Sequence, residues 1–271
     1  MPELPEVEST RRGIRPHVLG RVVDQVLVRE PRLRWLVTDD VVGRPRGQRV
    51  EGVERRGKYL LLQFPGDALM VHLGMSGSLR ILNGWRPPGP HDHVDLVFED
   101  GRLLRYTDPR RFGSMHWIPG PDLVHPLLDP LGPEPMSEAF SGGWMHRRSR
   151  GRRASVKSFI MDARTVVGVG NIYATEALFR AGIHPARAAG RIGAERYRRL
   201  AQAIRQVLSE AIAAGGTTLR DFVDGSGRPG YFRQDLRVYG RAGEPCRTCG
   251  SPIRQLRIGQ RASCYCARCQ R

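Results

Sequence analysis

Apolar residues at helical spacing open the chain. Val7, Ile14 and Val18 fall on one face of a helix, and Pro5 suits the first turn because no N–H donor is needed there. This pattern predicts a short buried helix that ends near His17.

The following hundred residues show a strand pattern. Between Arg21 and about Ile118, short β-branched or apolar runs are separated by glycine, proline and aspartate. The clearest of these runs are 22–28, 59–64 and 94–98. They predict a β-sandwich or a barrel.

Helical periodicity returns after a region rich in proline and glycine, between Pro119 and Gly143, where we expect the chain to cross into a second domain. A short helix is predicted from Asn171 to Ala181, behind a glycine loop at 167–170 whose N–H groups suit a phosphate. A longer helix that ends before Gly215 carries a predicted core stripe, formed by Tyr197, Leu200, Ile204, Val207, Leu208, Ala211 and Ile212.

The chain has a large excess of positive charge. Its 271 residues include 44 Lys and Arg against 27 Asp and Glu, a formal net charge of +17. This balance indicates a polyanionic partner, with nucleic acid favoured over an anionic membrane surface. No run approaches the roughly 18 apolar residues of a membrane span, and the start lacks a signal peptide, so we expect a cytosolic protein. The basic run 146–153 fits a solvated linker or a phosphate contact equally well.

All five cysteines lie in the last 26 residues. Cys246 and Cys249 form one C-x2-C pair, and Cys266 and Cys269 form a second pair after sixteen intervening residues. Four thiolates at this spacing predict a closed, structural Zn²⁺ site, with reduced cysteines without metal as the alternative. Cys264 is predicted to pack as a small apolar residue, although an exchange of ligand role with Cys266 is an alternative.

The start of the chain offers an amine nucleophile. Removal of Met1 would make Pro2 a secondary amine that can attack a sugar C1′ and form an iminium. An α-amine is neutral at pH 7 roughly a hundredfold or more often than a lysine amine, and this factor is an upper bound for the more basic proline. Glu3 and Glu6 supply nearby carboxylates for proton transfer. The alternative is structural: Pro2 and Pro5 limit fraying, and the glutamates favour the helix start.

Motifs along nearly the whole chain resemble those of formamidopyrimidine-DNA glycosylases. They are MPELPEVE at the start, RRGKYLLL around Lys58, HLGMSGSLR from His72, HDHVDLVF from His91, YTDPRRFG from Tyr106, VGVGNIYATEALFRAGIHP from Val167, GGTTLRDF from Gly215, PGYF from Pro229 and VYGRAGEPC from Val238, followed by the cysteine tail. Leu4-Pro5 followed by Val7 resembles the purine-specific branch rather than the endonuclease VIII group, which removes oxidised pyrimidines.

The resemblance implies a bifunctional DNA glycosylase and AP lyase that removes 8-oxoguanine and formamidopyrimidines. Pro2 would displace the damaged base and hold the sugar as a Schiff base, with Glu3 as proton donor and Glu6 as a supporting acid. Lys58 would assist β-elimination and Arg261 δ-elimination, leaving a one-nucleotide gap with phosphates at both ends. Without the resemblance, Lys58 and Arg261 would be interpreted only as phosphate contacts.

The resemblance also implies how damaged duplex DNA is bound. A base inside a duplex is unreachable, so the enzyme flips it out, and Met75, Arg110 and Phe112 match the residues inserted in its place. By residue type alone, Met75 and Phe112 would be core residues. The other positions matched to DNA contacts, mostly to phosphates, are His72, His91, Arg152, Lys157, Asn171 and Tyr239.

The implied fold is α+β. It comprises an N-terminal catalytic β-sandwich domain with an N-terminal helix at 1–134, a linker at 135–150, a helix-two-turns-helix domain at 151–236 and a zinc-finger β-hairpin at 237–271. A lesion-capping loop falls near 217–231, and Cys264 replaces an aromatic residue that is usual in relatives.

From these features we expect a monomer with one structural Zn²⁺, acting on damaged double-stranded DNA in a bacterial cytoplasm, in association with the nucleoid. A non-catalytic DNA-binding protein is a competing hypothesis, which predicts loss of Pro2, Glu3 or Lys58, yet all three are present. Oxidised pyrimidines or hydantoins as main substrates are a second alternative.

Overall fold

The computed structural model describes residues 2–216 and 236–271. The described residues form two compact units: the first contains 2–129 with 214–216, and the second contains 130–213 with 236–271. Met1 and the predicted lesion-capping loop at 217–231 lie outside the described residues. Within the described ranges, every helix is too short or too polar to cross a membrane.

Helix α1, Leu4–Val18, begins the first unit and confirms the predicted N-terminal helix. Pro5 lies in its first turn, where a missing N–H costs nothing. Val7, Ile14 and Val18 are buried in the same hydrophobic cluster as residues of the strands that follow. The apolar face of the helix therefore packs on the sheets.

Eight strands follow within residues 2–129. They are β1 Val23–Val28, β2 Gly52–Arg56, β3 Tyr59–Phe64, β4 Asp67–His72, β5 Ser78–Leu82, β6 Asp92–Phe98, β7 Leu103–Thr107 and β8 Ser114–Ile118, with a short helix α2, Asp39–Gly43, between β1 and β2. One sheet has the order β1-β6-β7-β5 and the other β2-β3-β4-β8, and all their strand pairs are antiparallel.

The two sheets share one core. Val26 and Leu96 from the first sheet and Leu60 and Leu69 from the second are buried in a single cluster. Each such side chain contributes about 1.5–3 kcal/mol when it leaves water. Since two sheets enclose one core, the predicted β-sandwich is confirmed.

The second unit is mainly helical. Its helices are α3 Gly142–Ser149, α4 Val156–Met161, α5 Asn171–Arg180 and α6 Ala194–Ala213, with a 3-10 helix at Ala189–Arg191. The apolar stripe of α6 is buried as predicted, except for Ile212, which is half-buried near the end of the helix. Helix α3 lies inside the segment predicted as a linker, where Met145 is buried while Arg147 faces solvent.

An antiparallel hairpin completes the second unit. Strand β9, Ile253–Ile258, pairs with β10, Arg261–Cys266. Gly259 and Gln260 form the two-residue turn and have φ of 52° and 62°. Positive φ at both central positions is typical of a type I′ turn, which matches the twist of the strands. Phe179 of α5 packs against the buried side of this hairpin.

Candidate functional site

Glu3 and Glu6 form a capping box at the start of α1. The backbone N–H of Glu3 donates to Oε2 of Glu6 at 2.8 Å, and the Glu3 carboxylate accepts from the backbone of Glu6. Both glutamates are buried, and Pro2 is buried too in the chain that still carries Met1. Two carboxylates are therefore held next to residue 2, at a helix end that favours negative charge.

Lys58 lies in the tight turn between β2 and β3. Arg56 pairs with Tyr59, which leaves Gly57 and Lys58 as the two turn residues. Gly57 has φ of 58°, as the first central position of a type II′ turn requires. The turn therefore presents Lys58, which is half-buried, at the end of the second sheet.

An ion pair connects that turn to helix α1. Nη1 of Arg55 donates to the carbonyl oxygen of Gly57 at 3.0 Å, and Nε of Arg55 donates to the Glu8 carboxylate at 3.2 Å. Arg11 also donates to Glu8. Burial raises the pKa of Glu8, but hydrogen bonds from Arg11 and Arg12 outweigh it and bring the pKa down to about 2. Glu8 is therefore an anion that joins α1 to the Lys58 turn.

His72 ends strand β4 as a neutral ring. Burial, and then the charges of Lys58 and Arg34, lower the pKa of His72 to about 4. Its Nδ1 accepts from the backbone N–H of Gly74 at 3.0 Å, so Nε2 carries the proton in the neutral ring. His72 was predicted as a DNA contact, and in this state it offers a phosphate a hydrogen bond without a positive charge.

The three residues matched to the inserted wedge lie on two neighbouring loops of the first unit. Met75 is 39% exposed and Phe112 is 44% exposed, although residue type alone would place both in a core. The Arg110 guanidinium lies 4.8 Å from the centre of the Phe112 ring, within the range of a cation–π contact. A single exposed apolar side chain is common, but two on neighbouring loops beside an arginine fit a binding surface.

The remaining predicted DNA contacts differ in exposure. His91 and Arg152 are exposed. Asn171 begins α5, directly behind Gly170, and its Oδ1 is buried with no hydrogen-bond partner among the described residues. Tyr239 is half-buried, and its backbone N–H donates to Glu176 at 2.8 Å.

Lys157 departs from the surface position that a phosphate contact suggests. It is only 1% exposed, and Nζ donates to Ser263 Oγ at 2.7 Å and to the carbonyl oxygen of Ala262 at 3.2 Å. A buried ammonium needs such oxygen partners because desolvation is costly. In this structure Lys157 joins helix α4 to strand β10, one residue away from Arg261, which is exposed at the start of that strand.

Of the buried carboxylates that the sequence analysis did not single out, two bind residues at or beside the predicted DNA contacts. Glu176 of α5 accepts from the backbone N–H groups of Arg237, Val238 and Tyr239. Asp108 accepts from residues on both loops that carry the wedge side chains. The signal for Asp108 was present, since it lies inside the YTDPRRFG motif.

The two cysteine pairs meet at the end of the second unit. The Sγ atoms of Cys246, Cys249, Cys266 and Cys269 all lie within 4.8 Å of one another. Four thiolates at such distances fit a tetrahedral zinc ion with no position left for water. Cys264 is buried in the apolar cluster that contains Phe179, in agreement with the predicted apolar packing, and its thiol also donates to Oε1 of Gln255 at 3.7 Å.

Three family models match the chain. They are the formamidopyrimidine-DNA glycosylase N-terminal domain over residues 1–115, the formamidopyrimidine-DNA glycosylase H2TH domain over residues 131–223, and the zinc finger found in FPG and IleRS over residues 243–271. The zinc-finger match includes all four clustered cysteines, so the centre holds one structural zinc ion.

Curated relatives match over their full length. The formamidopyrimidine-DNA glycosylase of Methylococcus capsulatus is 63% identical over 272 residues, and that of Alkalilimnicola ehrlichii is 61% identical over 277 residues. Each match covers 100% of this chain and 100% of the relative.

Solved structures of the same kind superpose closely. The Thermus thermophilus protein has a TM-score of 0.89 with 43% identity, covering 99% of this chain and 98% of its own. A Lactococcus lactis variant in complex with DNA containing Fapy-dG has a TM-score of 0.92 with 32% identity and 100% coverage of both chains. The wild-type Lactococcus lactis protein in complex with DNA containing an oxidised pyrimidine has a TM-score of 0.90, also with 32% identity and 100% coverage of both chains.

Proposed function

Because the chain belongs to the formamidopyrimidine-DNA glycosylase family and is thus a DNA glycosylase of base-excision repair, we propose that it removes oxidised purines with Pro2 as its nucleophile. The substrates we assign are 8-oxoguanine and formamidopyrimidines in duplex DNA. We also assign an AP lyase activity that cleaves the strand after the base has left.

The observation that carries this proposal is the capping box at residues 3 and 6. It holds two carboxylates immediately behind residue 2. Once Met1 is removed, the nitrogen of Pro2 becomes a terminal amine at that position. An amine must be unprotonated to attack, and an α-amine meets this condition near pH 7 far more often than a lysine does.

In the proposed reaction, the lone pair of the Pro2 nitrogen forms a bond with C1′, and the bond from C1′ to the base breaks. The base leaves with the electron pair of the broken bond and takes up a proton, and the Pro2 nitrogen loses its N–H proton, which restores the lone pair needed for the iminium. Glu3 donates a proton to the ring oxygen as the sugar opens to the iminium, and Glu6 supports this transfer. Capping geometry supports these roles because it fixes both carboxylates before any substrate binds.

Strand cleavage follows as two eliminations. Loss of a proton from C2′ expels the 3′ phosphate, and Lys58 assists this step from its turn. A second elimination, assisted by Arg261, expels the 5′ phosphate, and the products are a one-nucleotide gap with phosphates at both ends. The half-buried position of Lys58 and the exposed position of Arg261 support these assignments.

Access to the damaged base requires that it leave the stack. We assign Met75 to the space the base vacates, Phe112 to the opposite stack and Arg110 to the orphaned cytosine. We assign His72, His91, Arg152, Lys157, Asn171 and Tyr239 to the DNA-binding surface. The exposure of Met75 and Phe112 supports the first assignment, and the burial of Lys157 favours an indirect contribution through β10.

The partner we propose is damaged double-stranded DNA, bound by a monomer in the bacterial cytoplasm and in association with the nucleoid. The net charge of +17 supports a polyanionic partner. Zinc holds the β9–β10 hairpin in shape and takes no part in the chemistry, because four thiolates leave it no open position.

Borohydride trapping tests the nucleophile. The protein is incubated with an 8-oxoguanine·cytosine duplex and sodium borohydride, and we expect a covalent protein–DNA adduct. A form with extra residues ahead of Pro2 serves as the control, because its nitrogen is an amide, and it should give no adduct. Trapping by the extended form, or absence of an adduct with the processed protein, would overturn the assignment and favour a non-catalytic DNA-binding protein.

Oxidised pyrimidines are a second candidate substrate class. The observation in their favour is the Lactococcus lactis neighbour in complex with DNA containing an oxidised pyrimidine. Single-turnover excision from matched duplexes with 8-oxoguanine, formamidopyrimidine or thymine glycol distinguishes the two classes. We expect the two purine lesions to react faster, and a preference for thymine glycol would reverse the assignment.

A further inference from the structure

Two loops of the first unit touch through their backbones. The Met75 loop is Leu73–Gly77, and the Phe112 loop is Asp108–Gly113. A Cβ added to Gly74, whose φ is 64°, would lie 2.4 Å from the backbone nitrogen of Gly113. A Cβ added to Gly113 would lie 2.5 Å from the carbonyl oxygen of His72, the last residue of β4 and the one just before the Met75 loop. These distances leave no room for a side chain, so the loops are packed as closely as two backbones allow.

The carboxylate of Asp108 bonds to both loops. Its Oδ1 accepts from Ser76 Oγ at 2.7 Å and from the backbone N–H of Arg110 at 3.3 Å. Its Oδ2 accepts from the backbone N–H of Gly113 at 2.9 Å and from the Tyr106 hydroxyl at 3.0 Å. Asp108 is fully buried, so water does not compete for these bonds.

The same carboxylate is itself held in place. The backbone N–H of Asp108 donates to the carbonyl oxygen of His91 at 3.0 Å, and its own carbonyl oxygen lies 2.8 Å from Nε2 of His93. Burial, and then the Asp108 charge, raises the pKa of Tyr106 far above its ordinary value. The phenol therefore stays protonated and acts only as a donor to Asp108.

The residues that bind Asp108 lie at or directly after the wedge residues in the sequence. Ser76 follows Met75, and Gly113 follows Phe112, while Arg110 is bonded through its own backbone. One carboxylate thus binds the residue at or next to each of the three side chains, through a hydroxyl at Ser76 and through backbone N–H groups at Arg110 and Gly113. A rigid array inserts into DNA without first losing conformational freedom.

We propose that Asp108 is a positioning residue that couples the Met75 loop to the Phe112 loop and so holds Met75, Arg110 and Phe112 as one preformed wedge. This inference rests on the proposed function, since it concerns base eviction by the same site. Asp108 acts through the Ser76 hydroxyl and through the backbone of the Phe112 loop, and it touches neither the sugar nor the base.

The test compares two reactions of the same protein. Excision of 8-oxoguanine from a duplex needs the wedge, whereas strand cleavage at an abasic site in single-stranded DNA has no base to evict and no opposite base to separate. We expect Asp108→Asn to slow single-turnover excision at least about tenfold, because its amide would direct a donor at other donors. Single-strand cleavage should change less than about threefold.

Two further variants complete the design. Ser76→Ala removes the side-chain bond between the loops and should slow excision by about three- to tenfold, with the same sparing of single-strand cleavage. If Asp108→Asn does not fold, the Ser76→Ala variant alone tests the inference. Asp24→Asn makes the same chemical change at an exposed position of strand β1 and should leave both reactions at the wild-type rate.

The outcomes separate the inference from the proposed function. Unchanged excision in Ser76→Ala and in any folded Asp108→Asn would overturn the coupling role. An equal loss of both reactions in a folded variant would overturn it as well, because that result indicates general damage to the catalytic site. If the wild-type protein itself gives no excision and no borohydride adduct, it is the proposed function that fails.

Discussion

The Glu8 carboxylate on helix α1 accepts a hydrogen bond from Nε of Arg55 at 3.2 Å, across 47 positions of sequence. Both side chains are largely withdrawn from water, with exposures of 9% and 14%. The pair therefore connects the helix that begins just behind Pro2 to the strand that leads into the Lys58 turn. The Glu8–Arg55 ion pair therefore supports the positions of both Pro2 and Lys58, which are proposed to act in successive steps of one reaction.

Replacing Glu8 with glutamine should impair strand cleavage. Glu8→Gln removes the carboxylate to which Nε of Arg55 donates, and hydrogen bonds to charged groups contribute about 1.5–3 kcal/mol each. We expect a lower melting temperature and several-fold slower cleavage at an abasic site in single-stranded DNA. Glu51→Gln, at an exposed position just before β2, is the matched control and should behave like the wild type. Equal rates for the two variants would contradict this role.

His72 should make the protein less stable in mild acid. Its folded pKa of about 4 lies below its ordinary value of 6.5, so the unfolded chain binds a proton between these pH values and the folded chain does not. The free energy of unfolding should therefore fall as the pH drops from about 6.5 to about 4, by up to about 3 kcal/mol.

Denaturant unfolding at pH 7 and pH 4.5 measures this effect. His72→Gln should lose less stability than the wild type between the two pH values, since glutamine does not titrate. His17→Gln changes an exposed histidine of the same unit and should follow the wild type. Because zinc loss in acid affects all three proteins, only the differences between them are interpreted. An identical loss in all three would refute the assignment.

Removal of zinc should unfold the β9–β10 hairpin. Binding of zinc to four thiolates contributes roughly 10 kcal/mol to the folding of such small modules. We expect chelation to abolish tight DNA binding, because the hairpin carries Arg261, and added Zn²⁺ to restore it. Cys266→Ser should lose the metal, while Cys264→Ser should retain it. Metal content and DNA affinity are the measurements, and zinc loss from Cys264→Ser would show that this cysteine is a ligand.

Glu176 should control DNA affinity without touching DNA. Its carboxylate accepts from three consecutive backbone N–H groups, the last of which belongs to Tyr239. Glu176→Gln turns one acceptor into a donor, and we expect DNA binding about tenfold weaker, as a lost bond to a charged group predicts. Glu210→Gln breaks a partly exposed ion pair with Arg180 and should change affinity less than about threefold. If the two variants lost DNA affinity to a similar degree, the proposed role of Glu176 would be wrong.

Periodicity and spacing were sufficient for the main elements. The N-terminal helix, the sandwich strands and the α6 stripe follow from local patterns of burial, and the cysteine spacing predicted the zinc cluster. Helix α3 was overlooked because its first turn contains two glycines and its later residues are strongly basic. Such a composition has a low helix propensity. The burial of Met145 stabilises the helix instead.

Positions of polar side chains were harder to predict, since they depend on partners far away in sequence. The sequence alone predicts Lys157 as a surface cation, whereas its Nζ donates a hydrogen bond to Ser263, 106 positions later, in the structure. Glu176 accepts from backbone N–H groups 61 to 63 positions away. The residue type alone does not predict such a contact. Met75 and Phe112 show the opposite case, because their apolar character suggests a core while they lie in solvent.

The contact between Gly74 and Gly113 has a consequence for protein engineering. The main chain at residues 72–74 meets the main chain of the Phe112 loop with clearances too small for one methyl group. If either loop alone were replaced by the loop of a homologue, its backbone would not fit closely against the backbone of the other loop. A chimera with altered lesion preference therefore has to exchange both loops at once, together with the aspartate that joins them.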